Sequence, residues 1–129
     1  MGDLLDPGAS RRAVARSRVT MLPATAAAVT TNELKKGDVL ATARFAGIQA
    51  TRSASALLPL TPASSHLDVT VSFEVGDAWI DVEATVVAHD RSRVETQALT
   101  AAAVASLTIY DMCKSMDHSM VVVDLGVIH

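Results

Sequence analysis

Residues Leu67 to Ala88 constrain this chain most, because their alternation admits one backbone conformation and one kind of partner. Leu67, Val69, Val71, Phe73 and Val75 alternate with Asp68, Thr70, Ser72 and Glu74, the period-two pattern of a half-buried strand. Gly76-Asp77 then turns the chain into Ala78–Ala88, where Ile80, Val82, Ala84 and Val86 take the inner face. The two runs read as a hairpin. A hairpin with one apolar face needs further elements to cover it.

The longest such element is Ala98–Lys114, ALTAAAVASLTIYDMCK, which reads as an amphipathic helix. Leu99, Ala103, Leu107 and Tyr110 form its apolar stripe, with Val104 beside them. Ala13, Ala15, Ser17, Val19 and Met21 alternate weakly and predict a strand over Arg12–Met21. An Ala-rich run from Leu22 to Leu34 reads as a short helix. Asp38 is a fitting N-cap for a second helix through Val39, Ala43, Ala46 and Gln49 to Ser55. Gly47 inside that helix costs about 1 kcal/mol against Ala, which signals close packing of another backbone. Leu58–Ser65 is a loop, and Met120–Ile128 is a closing strand. Residues 1–10 read as a flexible arm and 11–129 as a single domain. The order is strand, two helices, hairpin, long helix, strand. It predicts an α+β fold, a ferredoxin-like split βαβ sandwich with an extra helix.

Composition narrows the function classes. The 129 residues suffice for one core, and no apolar run approaches the ~18–20 residues that span a bilayer. The N-terminus lacks a continuous apolar segment of the secretory type, and Asp6 argues against myristoylation at Gly2. A single cysteine, Cys113, excludes an internal disulfide and any metal-type cysteine spacing, so a cytoplasmic setting is expected. Net charge is −3, with Arg11, Arg12, Arg16 and Arg18 clustered early, followed by Lys35, Lys36, Arg44 and Arg52. The only aromatics are Phe45, Phe73, Trp79 and Tyr110, too few for the stacking platforms of single-strand nucleic-acid binding. Such cations fit a solvated surface, or a pocket for phosphate or another small anion. Neither a nucleic-acid nor a membrane partner is expected.

Asp111 and Lys114 are three apart and share a helix face. An acid and an amine so placed can move protons between them and a ligand, and the same spacing equally produces an ordinary ion pair. His66 stands at the start of the first hairpin strand, on the face of Asp68 and Thr70, as an exposed histidine or a base. His89 and His118 fall in polar breaks and read as solvated. Cys113 reads as a small buried hydrophobe, since no histidine lies at helical spacing beside it. Trp79 falls on the outer face of its strand, which suits a subunit contact or a pocket wall.

The stretches KKGDVLATARFAGIQA (35–50), LLPL (57–60) and RVETQALTAAAVASLTIYDMCKSMD (93–117) resemble the cyclic pyranopterin monophosphate synthases, the MoaC family of molybdenum-cofactor biosynthesis. The likeness runs from about Arg11 to Val127 in the same order. It implies an α+β ferredoxin-like fold, hexamers built from dimers, and an active site at a subunit interface. It also implies a small-molecule substrate, 3′,8-cyclo-GTP, which is rearranged with release of pyrophosphate and closure of a cyclic phosphate. No metal or organic cofactor is implied. In this likeness Asp111 and Lys114 match the proton-transfer pair, Arg11 a phosphate-contacting arginine, and Glu95 the first acid of the VEMEAL motif.

Five departures accompany the match. Thr61 and Pro62 stand where the family's PLCHPL motif has Cys-His, and proline can neither donate a hydrogen bond nor titrate. Gln97 replaces the second acid of VEMEAL, keeping its shape without its charge. Arg52 replaces the lysine of AAKRT and is effectively never deprotonated. Arg93 replaces the glycine of TGVE. The sequence ends at His129, before the family's KSGGKSG tail. Substrate contacts are therefore expected from Arg11, Arg52, Thr61, His66, Arg93, Glu95 and Gln97. The departures suggest an enzyme repurposed for a cyclisation, isomerisation or lyase step on another small biosynthetic intermediate. The alternatives are the family's own synthase activity and a non-catalytic subunit.

Overall fold

The computed structural model describes residues 11–63, 66–90 and 93–129. The arm expected over 1–10 lies outside them, as do residues 64–65 of the loop and 91–92 of the polar break. In chain order the elements are β1 (Arg11–Thr20), α1 (Pro23–Thr30), α2 (Val39–Arg52), α3 (Ala54–Leu57), β2 (Leu67–Val75), β3 (Trp79–Ala88), α4 (Glu95–Cys113) and β4 (Val121–Ile128). The strands form one antiparallel sheet in the order β2-β3-β1-β4, the ferredoxin-like arrangement. Helices α2 and α4 pack on each other and on one face of it.

Alternation sets the faces of the strands. Ala13, Ala15, Ser17 and Val19 of β1 and Ile80, Val82, Ala84 and Val86 of β3 are buried beneath the helices. The opposite face carries ion pairs between neighbouring strands, Arg16 with Glu83 at 3.2 Å and Arg18 with Asp81 at 2.6 Å. Trp79 lies on that face as alternation requires. The Arg18 guanidinium covers its ring, 4.1 Å from the centroid, so the tryptophan finds a cover within its own chain. His89 is not simply solvated, because its Nε2 bonds the Asp68 carboxylate across the end of the hairpin.

Element boundaries differ from expectation in local ways. Helix α1 stops at Thr30 rather than Leu34, where Asn32 adopts a left-handed φ of 58°. The second helix ends at Arg52, and Ala54–Leu57 forms a separate single turn. Asp38 caps α2 as expected, its carboxylate accepting the Ala41 N–H at 3.0 Å.

The larger correction concerns the face of α4. The stripe Leu99, Ala103, Leu107 and Tyr110 is not the core face: Leu99 is only partly buried against the core, and Leu107 and Tyr110 are 57% and 40% exposed. The buried face is built of Ala98, Ala101, Ala102, Ala105 and Ile109. Close approach explains the inversion. A Cβ on Gly47 of α2 would lie 3.0 Å from the Ala101 carbonyl oxygen and 3.3 Å from the Ala105 methyl. Only small side chains fit where two helix backbones come so near, so alanines face Gly47 while Leu107 and Tyr110 turn outward.

Candidate active site

Asp111 and Lys114 stand at the C-terminal end of α4, and the Lys114 Nζ lies 2.8 Å from Asp111 Oδ1. Both side chains are largely exposed. The hydrogen bond to Lys114, and then its charge, lower the Asp111 pKa, while the same bond raises that of Lys114. At neutral pH the pair is therefore a carboxylate beside an ammonium, a base and an acid within reach of one ligand. Cys113, next to Lys114 in the chain, is buried, and burial pushes its thiol pKa up. That favours its reading as a packing residue.

A third group joins this pair from a distant segment. Gly37 N–H donates to the Leu34 carbonyl at 3.1 Å, closing a turn with Lys35 and Lys36 at its two central positions. Gly37 has φ 110°, a conformation open to glycine. From this turn Lys36 Nζ donates to the Asp111 backbone carbonyl at 3.1 Å. It thereby satisfies one of the last carbonyls of α4 and places its charge at the negative end of the helix dipole. Sequence reading placed Lys36 only within a set of cations suited to a solvated surface or to a small-anion pocket. Seventy-five residues separate the two partners, so no local spacing could reveal the contact. Beside the cluster opens a hollow of about 460 Å³, walled by Leu34, Met112 and Met116 and rimmed by Glu33, Lys35 and Lys36. A slightly larger one, about 480 Å³ between α1 and the β2–β3 turn, holds none of the candidate residues.

The other expected residues gather at the opposite end. Lys36 meets the end of α4 and Gly47 meets its N-terminal half, so α2 and α4 run antiparallel. Arg52, the last residue of α2, accordingly lies towards the start of α4. Glu95 opens α4 and pairs with Arg93 at 3.5 Å. Gln97 is fully buried in the first turn, and its Oε1 has no hydrogen-bond partner among the described residues. Arg11 sits opposite Ala88 at the strand end that leads into α4, with exposed His66 one residue before β2. Thr61, partly exposed, donates its N–H to the Leu58 carbonyl in the turn after α3. Glu95 and Asp111 are sixteen residues apart on one straight helix, about 24 Å at 1.5 Å per residue. One chain thus holds the Asp111–Lys114 pair and most of the other expected contacts at opposite poles.

A profile of the MoaC family matches residues 6–129. The chain is 46% identical over 114 residues to the molybdenum cofactor biosynthesis bifunctional protein of Chlorobaculum tepidum, covering 88% of this chain and 36% of that protein. It is 44% identical over 123 residues to the cyclic pyranopterin monophosphate synthase of Roseiflexus sp., covering 91% and 78% of the two chains. The synthase of Chloroflexus aurantiacus is 45% identical over 113 residues, 86% of this chain and 69% of its own. The chain spans about a third of the bifunctional relative and the larger part of the two synthases. With a matching profile over nearly its whole length, the chain belongs to the MoaC family.

Proposed function

We propose that this protein is a cyclic pyranopterin monophosphate synthase of molybdenum-cofactor biosynthesis, with each active site assembled from the two poles of different copies. The observation that carries this reading is the division of α4. Asp111, Lys114 and Lys36 stand at one pole, and Arg11, Arg52, Arg93 and Glu95 at the other, about 24 Å away. Neither pole alone holds both a proton-transfer pair and a set of arginines for phosphate. Two copies set head to tail would supply both at each junction. The outward apolar face of α4, with Leu107 and Tyr110, and the 69% exposed Phe45 of α2 suit such an assembly.

The repurposed activity expected from the departures is set aside. Relatives named as synthases share 44–45% identity with this chain over most of its length, and the YDMCK motif keeps its acid and its amine as a pair. In the synthase reading, the Asp111 carboxylate accepts a proton from the pterin precursor and the Lys114 ammonium returns one. Arg11 and Arg52 bind phosphate as permanent cations. Gln97 supplies shape rather than charge. Pro62 can donate no hydrogen bond, so phosphate binding falls to the cations.

The test is turnover of 3′,8-cyclo-GTP by the purified full chain, followed by mixing of two inactive variants, Lys114→Ala and Glu95→Gln. Composite sites predict that a refolded mixture recovers activity, about a quarter of the sites being intact. No product from the unmodified chain rejects the synthase assignment. Product from that chain but none from the mixture rejects the shared site.

A further inference from the structure

We propose that the hollow walled by Leu34, Met112 and Met116 seats residues 3–6 of a neighbouring copy, Asp3-Leu4-Leu5-Asp6. The docking rests on the head-to-tail assembly of the synthase reading and names a contact that would hold it. One leucine and two methionines make the inner wall, and Met116 is 41% exposed. Thioether side chains adapt to an apolar visitor, and about 460 Å³ suffices for a pair of leucine side chains. Charge is confined to one rim, where Lys35 and Lys36 stand beside Glu33. Lys36 uses one of its N–H donors on the Asp111 carbonyl, which leaves others for a carboxylate. An apolar pair bracketed by acids matches this surface on both counts.

Two features of the chain select the segment. Residues 1–10 lie outside the described residues, but they join the fold at Arg11, the first residue of β1. β1 runs from the pole of Arg11 to that of Asp111, where the Asp117 carboxylate bonds the Leu22 N–H just beyond the strand's end. The residues before β1 therefore depart from the far pole. Six residues separate Leu5 from Arg11, a reach of at most about 20–22 Å when fully extended. The poles are about 24 Å apart along α4, so the chain's own hollow is out of reach. In a head-to-tail junction the Arg11 pole of one copy meets the Asp111 pole of the next, which brings the segment to the hollow. The other apolar run near the Arg11 pole, residues 57–63 with Leu60 97% exposed, contains no acid and leaves the lysines unmatched.

The test uses the full-length chain carrying Leu5→Cys and Met116→Cys, oxidised with copper phenanthroline, with buried Cys113 left in place. Docking between copies predicts a disulfide between positions 5 and 116 that raises the mass on a non-reducing gel to that of two or more chains. Leu60→Cys with Met116→Cys is the control and should give no linked species. Independently, Leu4→Asp with Leu5→Asp should raise the concentration at which the assembly dissociates by about tenfold or more. Asp3→Lys with Asp6→Lys, which sets like charge against the lysine rim, should also raise it at low salt. A link confined to one chain, a link from position 60 as readily as from position 5, or assembly indifferent to either pair of changes would each overturn the docking. Cross-linking between copies without product from 3′,8-cyclo-GTP keeps the docking and removes the reaction assignment. Product with no cross-link keeps the synthase and removes the docked segment.

Discussion

Gly47 faces the backbone carbonyl of Ala101 so closely that a methyl group at position 47 would stand 3.0 Å from that oxygen. The neighbouring Ala105 methyl and a Val71 methyl would each lie 3.3 Å away. Replacing this glycine improves helix propensity by about 1 kcal/mol, but it must push α2 off α4 or strain the contact, at about 1–3 kcal/mol. The second effect should win. Gly47→Ala is expected to destabilise the protein by about 1 kcal/mol, and Gly47→Val by more, as read from denaturant unfolding. A stabilised Gly47→Ala would show that the two helices are not in tight contact.

Asp111→Asn and Lys114→Ala should each lower kcat with 3′,8-cyclo-GTP by about 10²–10⁴-fold, the usual contribution of a positioned acid or base. Their thermal midpoints should stay within about 2 °C of the unmodified protein, because an exposed ion pair contributes little to folding. A large fall in midpoint with activity retained would make the pair structural.

Asp117 supplies a pH signature of a different kind. Burial alone would raise its pKa, but the Leu22 N–H, the Ser119 hydroxyl, the Thr25 hydroxyl and the Ser119 N–H outweigh this and hold the group at about 2. The folded value lies below the ordinary 3.8, so the unfolded chain binds the proton more readily. Stability from this group is complete above pH 4 or so and is lost as pH falls towards 2, by about 2–3 kcal/mol. Denaturant titrations across that window should show the loss, and Asp117→Asn should remove most of this pH dependence.

Leu107→Glu tests the outward face of α4. Leu107 is 57% exposed in the single chain, so a charge there should leave the fold intact and weaken assembly. Sedimentation should then report a smaller species with an unchanged circular-dichroism spectrum. Loss of the folded spectrum would place Leu107 in the core after all.

The sheet and its caps were legible in unequal measure. The alternation of Leu67–Val75 and Ile80–Val86 assigned both hairpin strands and their inner faces, because period-two burial leaves a direct trace in residue order. Asp38 was readable as a cap because its acceptor serves an amide three residues on. Two other helix ends carry no such local signal. Leu22 stands at the start of α1 with no side-chain cap, and Asp117 reaches it from 95 residues away, bonding the Leu22 N–H at 2.9 Å. The end of α4 is met by Lys36 from a turn 75 residues away.

Residue order by itself determined which segments become strands and helices, where several of them turn, and the acid–amine spacing at the end of α4. Those properties depend on neighbours within a few positions. The tertiary structure alone decided that Ala98, Ala101, Ala102 and Ala105 of α4 face inward and Leu107 and Tyr110 outward. A helix pattern shows which residues share a face, whereas the width of the gap beneath it is set by the opposing backbone at Gly47. It alone also placed the expected phosphate contacts at the far pole from Asp111 and Lys114, since helix length and antiparallel packing fix those positions.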